Sequence, residues 1–378
     1  MTEHKPLGGK IITVPFMVCA VFAAIAVALI VKRFIYGLGS VTNLSDGYPW
    51  GVWIAYDVVV GTAFACGGYA MALVVYVFNK GEYHPLVRPA LLASMLGYTL
   101  AGVSIFFDVG RYWQAYNLGL PWFAQLNSVM FEVALCVTTY IVVQWIEFTP
   151  AFLEKFNKGV LRKILNRVIF IFIAIGILLP TMHQSSLGLL VYIAGHKVSP
   201  LWQTGFILLL FLISALTMGF SIVIFESIVS AMVFKREIET PLLSRLAAYI
   251  PPLLGVYLAV RFWDLVGRGS LGMAFAGDLK ANMFLLENIL YIIPTVVLLS
   301  PDNRTKPRLL FLSAISMLLA GAVYRFNVFL VGFDPGTGWH YFPSLSEILI
   351  TLGLIAIEIM AYAFFVKKMP VLPDVRHA

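Results

Sequence analysis

Charge is what this sequence has least of. Only 12% of its 378 residues are Asp, Glu, Lys or Arg, where a soluble domain carries about a quarter. With 60% hydrophobic residues and a mean hydropathy of +0.89, that deficit excludes a water-soluble globular domain and points to a chain folded within a bilayer. Cysteine is scarce too. Cys19, Cys66 and Cys136 are scattered through apolar runs. No C-x-x-C pair or Cys/His cluster therefore supplies an iron–sulfur or zinc site, and no disulfide framework is indicated. The six histidines are His4, His84, His183, His196, His340 and His377. None falls at the centre of an apolar run, so paired axial ligands for a membrane b-type haem are not expected. No phosphate loop or nucleophile triad is present. The net charge of +7 is a matter of loop orientation here, not of nucleic-acid binding.

What is present is a series of apolar runs near the length that crosses a bilayer. They fall at about 11–31, 52–78, 87–107, 128–146, 165–180, 204–234, 243–266, 281–299, 309–330 and 347–366. The expected class is an all-α polytopic membrane protein of about ten transmembrane helices. The fifth run is short and is expected to stop at Pro180, leaving His183 in a polar stretch, "TMHQSSLG", at the outer membrane edge. The first run resembles a signal peptide but has Lys32 and Arg33 directly after it and no small-residue cleavage site, so it reads as a retained span. An even number of spans puts both termini on one side. About 18 of the 26 Lys and Arg residues then share that side, against 6 opposite, with Arg261 and Arg325 inside spans. The excess of positive charge predicts cytoplasmic termini. The opposite loops are longer and rich in Gly, Pro, Trp and Tyr, which reads either as a docking surface or as interfacial aromatic belts.

The chain also repeats itself. "FFDVGR" (106–111) returns as "FWDLVGR" (262–268), and Asn127 and Glu132 share the spacing of Asn282 and Glu287. The offset is about four spans, an even number, so the copies share an orientation. This predicts two parallel-related four-helix bundles plus two extra helices: residues 1–150, 151–300, and 301–378 for the appended spans and C-terminus. Asp108 and Arg111 stand three apart near the outer interface, where an ion pair fixing a helix end is the structural expectation. Other acids lie deeper. Asp57, Glu132 and Glu287 are expected in the outer halves of spans, Glu226 and Glu358 in the inner halves. A carboxylate at the bilayer centre costs about 2.5–3.5 kcal/mol on insertion scales, so it is kept to pair, to face a polar interior or to carry protons. Tyr98, midway along the third span, and His183 complete the set of candidates for proton transfer with Glu132 and Asp57. For each of them, packing or a satisfied hydrogen bond is the alternative.

In order along the chain, "YPWGVWIAYD", "YHPLVRPALLASMLGYTL", "DVGRYW", "NSVMFE" and "LLPTMHQSSLG" resemble the NrfD/PsrC-type membrane subunits, and among them the HybB-type, so-called cytochrome b, subunits of membrane-bound nickel–iron hydrogenases. The resemblance runs over almost the whole chain. It implies an oxidoreductase subunit, not active alone, in the bacterial inner membrane. It further implies a periplasmic ferredoxin-like iron–sulfur partner with hydrogenase small and large subunits. Electrons would be exchanged with quinone, menaquinone or ubiquinone, without haem and without a metal in this chain. On that reading Glu132, Asp57, Tyr98 and His183 stand for head-group contact or proton delivery. Asp108, Arg111, Trp53 and Asn127 stand for the quinone pocket or its outer wall. Glu147, Glu226 and Glu358 would form a cytoplasmic half-path if protons cross. Two other readings stay open: a proton-coupled secondary transporter, and a passive membrane anchor whose acids serve packing alone.

Overall fold

The computed structural model describes residues 4–48 and 50–373. Among them ten helices are long and apolar enough to cross a membrane. Hydrocarbon offers the backbone no partners, and a helix satisfies its own groups locally. In chain order the helices are α1 (Val14–Tyr36), α2 (Trp53–Val77), α3 (His84–Asp108), α4 (Val129–Lys155), α5 (Gly159–Ala194), α6 (Ile207–Phe234), α7 (Ile250–Gly267), α8 (Leu279–Leu299), α9 (Pro307–Val331) and α10 (Leu345–Lys368). A short amphipathic helix, Thr240–Ala247, precedes α7. The starts of α4, α8 and α10 are fixed by Ser128, Asp278 and Ser344, whose side chains accept the free amides of Phe131, Ala281 and Glu347. At α10 the cap is reciprocal, because Glu347 also accepts the Ser344 amide.

The fifth span departs from expectation. It does not stop at Pro180 but runs on to Ala194, so His183 lies inside a helix rather than in an outer loop. Pro180 removes one backbone donor. Past it, the Thr181, Ser185 and Ser186 hydroxyls donate to the carbonyls of Ile177, Thr181 and Met182, which supplies local hydrogen bonds in the disturbed turn.

The chain divides into two compact units. The first comprises residues 1–62, 91–176 and 335–378. In it α1 lies along α10, and the first half of α2 meets α10 as well. The α1–α10 approach is close. A side chain at Gly353 would strike Ala26 Cβ and come within 2.8 Å of the Phe22 carbonyl. The two ends of the chain are stitched together in this unit, the Leu7 and Gly8 amides donating to the Val366 and Lys367 carbonyls. The segments before α1 and at the end of α10 therefore lie side by side, as an even number of crossings requires.

The second unit comprises residues 63–90 and 177–334. Here α9 packs on α8 and α6, α7 packs on α8 and α6, and the second half of α2 packs on α6. Gly219 of α6 makes that last contact, where any side chain would meet the Cys66 carbonyl and the Ala70 methyl. α2 is thus shared by the two units, and so is α5.

Candidate functional site

The first half of α2 is wound as a π-helix from Trp53 to Val60. The wider turn is uncommon and is found mostly at functional positions. It carries Trp53 and Asp57, four residues apart, both inside the first unit. Asp57 is 8% exposed, and the Thr351 hydroxyl of α10 donates to its Oδ2 at 3.3 Å. No cation stands within ion-pair reach of it among the described residues. Trp53 is 1% exposed. Its Nε1–H donates to the Glu347 carbonyl at 3.3 Å, and its ring meets Phe107 of α3 edge-on at 5.2 Å. The motif pair on α2, Trp53 and Asp57, is therefore held by a matching pair on α10, Glu347 and Thr351.

Asp108 closes α3 close to these groups, and it senses the charge of Glu347 and of Arg33. Its Oδ1 is buried and accepts no hydrogen bond among the described residues. The expected partner, Arg111, is exposed and lies beyond the helix end. The cation at this corner is Arg33 of α1. Its Nε and Nη2 donate to the Phe107 and Val109 carbonyls at 2.6 and 2.7 Å, and its guanidinium lies over the Phe34 and Tyr112 rings. Arg33 therefore caps the C-terminus of α3, where a cation is favoured by the helix dipole.

Glu347 is the most heavily used acid of the unit. Its carboxylate accepts from the Asn43 amide at 3.0 Å, the Ser344 amide at 2.8 Å and the Tyr341 hydroxyl at 2.6 Å. Tyr341 accepts in turn from the Val52 amide. Burial, and the hydrogen bond to Glu347, push the Tyr341 phenol well above its ordinary value, so it stays a donor. These bonds fasten the segment before α2 to the start of α10.

The remaining candidates are placed elsewhere. Glu132 sits in the first turn of α4, half-buried. Asn127 is exposed in the turn that precedes it. Tyr98 is wholly buried, with its ring edge-on to Tyr140 at 4.5 Å. His183 belongs to the second unit. Its Nδ1 lies 3.0 Å from the Leu179 carbonyl and its Nε2 3.1 Å from Gln184 Nε2, while the Gln184 oxygen accepts from Arg325 at 3.2 Å.

The second copy of the repeat behaves differently from the first. Asp264 and Arg268 do form an ion pair, at 2.8 Å, and Arg268 also donates to the Pro200 carbonyl. Glu287 is wholly buried and pairs with Arg261 at 2.8 Å. It also accepts from Trp202 at 2.9 Å and Asn327 at 2.8 Å. Arg33, Glu347 and Thr351 are the site residues that sequence reasoning missed. The S-x-x-E cap at Ser344–Glu347 was a usable signal for one of them.

Comparison with known proteins gives one family match: the model for polysulphide reductase, NrfD, covers residues 40–333. A probable Ni/Fe-hydrogenase 2 b-type cytochrome subunit of Escherichia coli K12 is 50% identical over 99% of this chain and 96% of its own length. The integral membrane subunit of a menaquinone reductase from Nitratidesulfovibrio vulgaris Hildenborough is 25% identical over 89% and 86%. A selenate reductase subunit from Mesobacillus selenatarsenatis is 21% identical over 94% and 93%.

The b-type name of the first relative raises the question of haem. His183 is the one histidine buried within a span among the described residues. With Nδ1–H donated to Leu179, its Nε2 is taken up by Gln184, so neither nitrogen is left for an axial bond, and the residues do not fit a haem. Among the described residues no group of three or more His, Cys, Asp and Glu side chains is placed to hold a metal ion.

Proposed function

The chain belongs to the polysulphide reductase NrfD family, and from that premise we propose that it is the membrane subunit of a hydrogenase complex, exchanging electrons with quinone beside Trp53 and Asp57. One observation carries the assignment. Asp57 is a buried carboxyl in an apolar span, on a π-turn, with a hydroxyl donor and, among the described residues, no cation to neutralise it. A group kept at that cost has work to do. Reduction of a quinone to a quinol takes two electrons and two protons. An unprotonated, reduced head group in low dielectric is costly, so a proton-exchanging group has to stand beside it. Asp57 fills that role at its carboxyl oxygens. Trp53 supplies a flat apolar face, and the Arg33–Asp108 corner closes the outer end.

On this reading electrons arrive from an iron–sulfur partner of ferredoxin type, with the hydrogenase subunits beyond it. The long aromatic loops face that partner in the periplasm, and the lysine-rich side and both termini face the cytoplasm of a bacterial inner membrane. The names of the hydrogenase and menaquinone reductase relatives support both ends of this route. Glu132, in the first turn of α4, is placed to pass protons between the outer aqueous side and the site. Glu147, whose Oε1 is buried near Gly176 without a hydrogen-bond partner among the described residues, is the strongest candidate for an inner half-path. The spans are read as two like-oriented four-helix repeats, 1–150 and 151–300, with α9 and α10 added.

The test uses the purified complex. Hydrogen oxidation is measured with a quinone analogue and, separately, with a viologen that takes electrons before they reach this chain. Asp57→Asn should lower the ratio of quinone-linked to viologen-linked rate by about 100-fold, the scale of a lost general acid. An unchanged ratio rules Asp57 out and leaves the chain as a passive anchor.

A further inference from the structure

The family match ends at residue 333 and begins at residue 40, so α1 and α10 both lie outside it. In the structure these two helices pack on each other, α10 meets the first half of α2, and α1 meets the end of α3 through Arg33. α10 presents Glu347 and Thr351, four residues apart on one face, to Trp53 and Asp57, four residues apart on α2. α1 presents Arg33 to the end of α3 beside Asp108. The pairing is chemically specific. Thr351 is only 8% exposed and spends its hydroxyl on a carboxylate. Glu347 is 1% exposed, and its three donors and reciprocal cap leave the helix start little freedom. The Glu347 carbonyl, fixed in that way, is the acceptor for the Trp53 indole.

We propose that the α1–α10 pair is the positioning wall of the quinone site, with Thr351 orienting the Asp57 carboxyl and Glu347 fixing the Trp53 ring. This rests on the assignment of Asp57 to quinone exchange. The wall makes the site of this chain a composite. The matched region brings the proton-exchanging acid and the flat face, and the flanking helices set their geometry. Thr351 touches no reacting atom in this scheme and acts only through Asp57.

Four variants of the whole complex test it: Thr351→Val, which removes the hydroxyl and keeps the shape, Thr351→Ser, which keeps the hydroxyl, Asp57→Asn, and Thr351→Val combined with Asp57→Asn. The readout is the ratio of quinone-linked to viologen-linked hydrogen oxidation in the same preparation, with kcat and KM for the quinone analogue. Thr351→Val should lower the ratio about tenfold, as loss of a buried hydrogen bond does. The loss should fall in kcat more than in KM. Thr351→Ser should recover the ratio to within about threefold, and Thr351→Val should add nothing to Asp57→Asn, because groups acting through one another are not additive. A Thr351→Val ratio equal to the unmodified complex, or a serine variant no better than valine, overturns the proposal while Asp57→Asn stays low. An unchanged ratio in Asp57→Asn removes the underlying assignment, and the wall's role with it.

Discussion

At the scale of single residues, spacing in sequence means something only while the helix lasts. Asp108 and Arg111 are three apart, a spacing that brings side chains together on a helix. But α3 ends at Asp108, and Arg111 begins the next short turn outside it. In the second copy α7 continues to Gly267, so Asp264 and Arg268 stay on one helical face and pair. Asp57 was legible because a lone carboxylate in a long apolar run stands out. Arg33 and Thr351 were not, since their partners are 74 and 294 residues away, and nothing local announces such a pairing. Glu132 lies in the first turn of α4, four residues past its Ser128 cap. Its shallow place gives a prediction: Glu132→Gln should change the quinone-to-viologen ratio by at most about threefold, against the roughly 100-fold loss at Asp57. An equal loss at both positions would make Glu132 the principal donor. Glu287 calls for a different test. It is sealed with Arg261, Trp202 and Asn327, and removing one member of a buried ion pair leaves an uncompensated charge that costs about 3–5 kcal/mol. Glu287→Gln should lower the thermal midpoint of the purified complex, and replacing Arg261 with Met in the same molecule should restore part of it.

At the scale of elements, position along the chain was readable and contact was not. Every expected span exists, because about 20 apolar residues in hydrocarbon have few alternatives to a helix. The exception in detail was α5, which runs through Pro180 to Ala194, with hydroxyl side chains donating to backbone carbonyls in the turns around and after it. Which helices touch depends on small residues whose meaning appears only in three dimensions. Gly219 and Gly353 look alike in sequence. One brings α6 within reach of α2, where an added Cβ would stand 2.6 Å from the Cys66 carbonyl. The other brings α10 onto α1. Close approach through small residues is a common way for membrane helices to associate, since lipid supplies no hydrophobic push. Gly353→Leu should therefore force α1 from α10, with an overpacking cost of about 1–3 kcal/mol. A fall in thermal midpoint and in quinone-linked turnover should appear together. Loss of stability with an unchanged turnover ratio would show that the site does not depend on this contact.

At the scale of the whole molecule, the fold class and span number followed from composition, but the grouping of spans did not. Contacts divide α2 and α5 each between two compact units, a division no boundary in composition marks. Side-to-side orientation depends on a separate quantity, the distribution of Lys and Arg. With ten crossings about 18 of the 26 cationic residues fall on the side of the termini. Those termini are held together by backbone hydrogen bonds in the first unit. The asymmetry leads to a direct expectation. A fluorescent protein fused after Ala378 should mature, because it stays in the cytoplasm. Alkaline phosphatase inserted within residues 112–127 should be active, because that uncharged aromatic loop is exported. The reverse pattern would put the Trp113 and Trp122 face on the cytoplasmic side, and with it the Asp57 site and any iron–sulfur partner. Protons taken up during quinone reduction would then come from the opposite compartment.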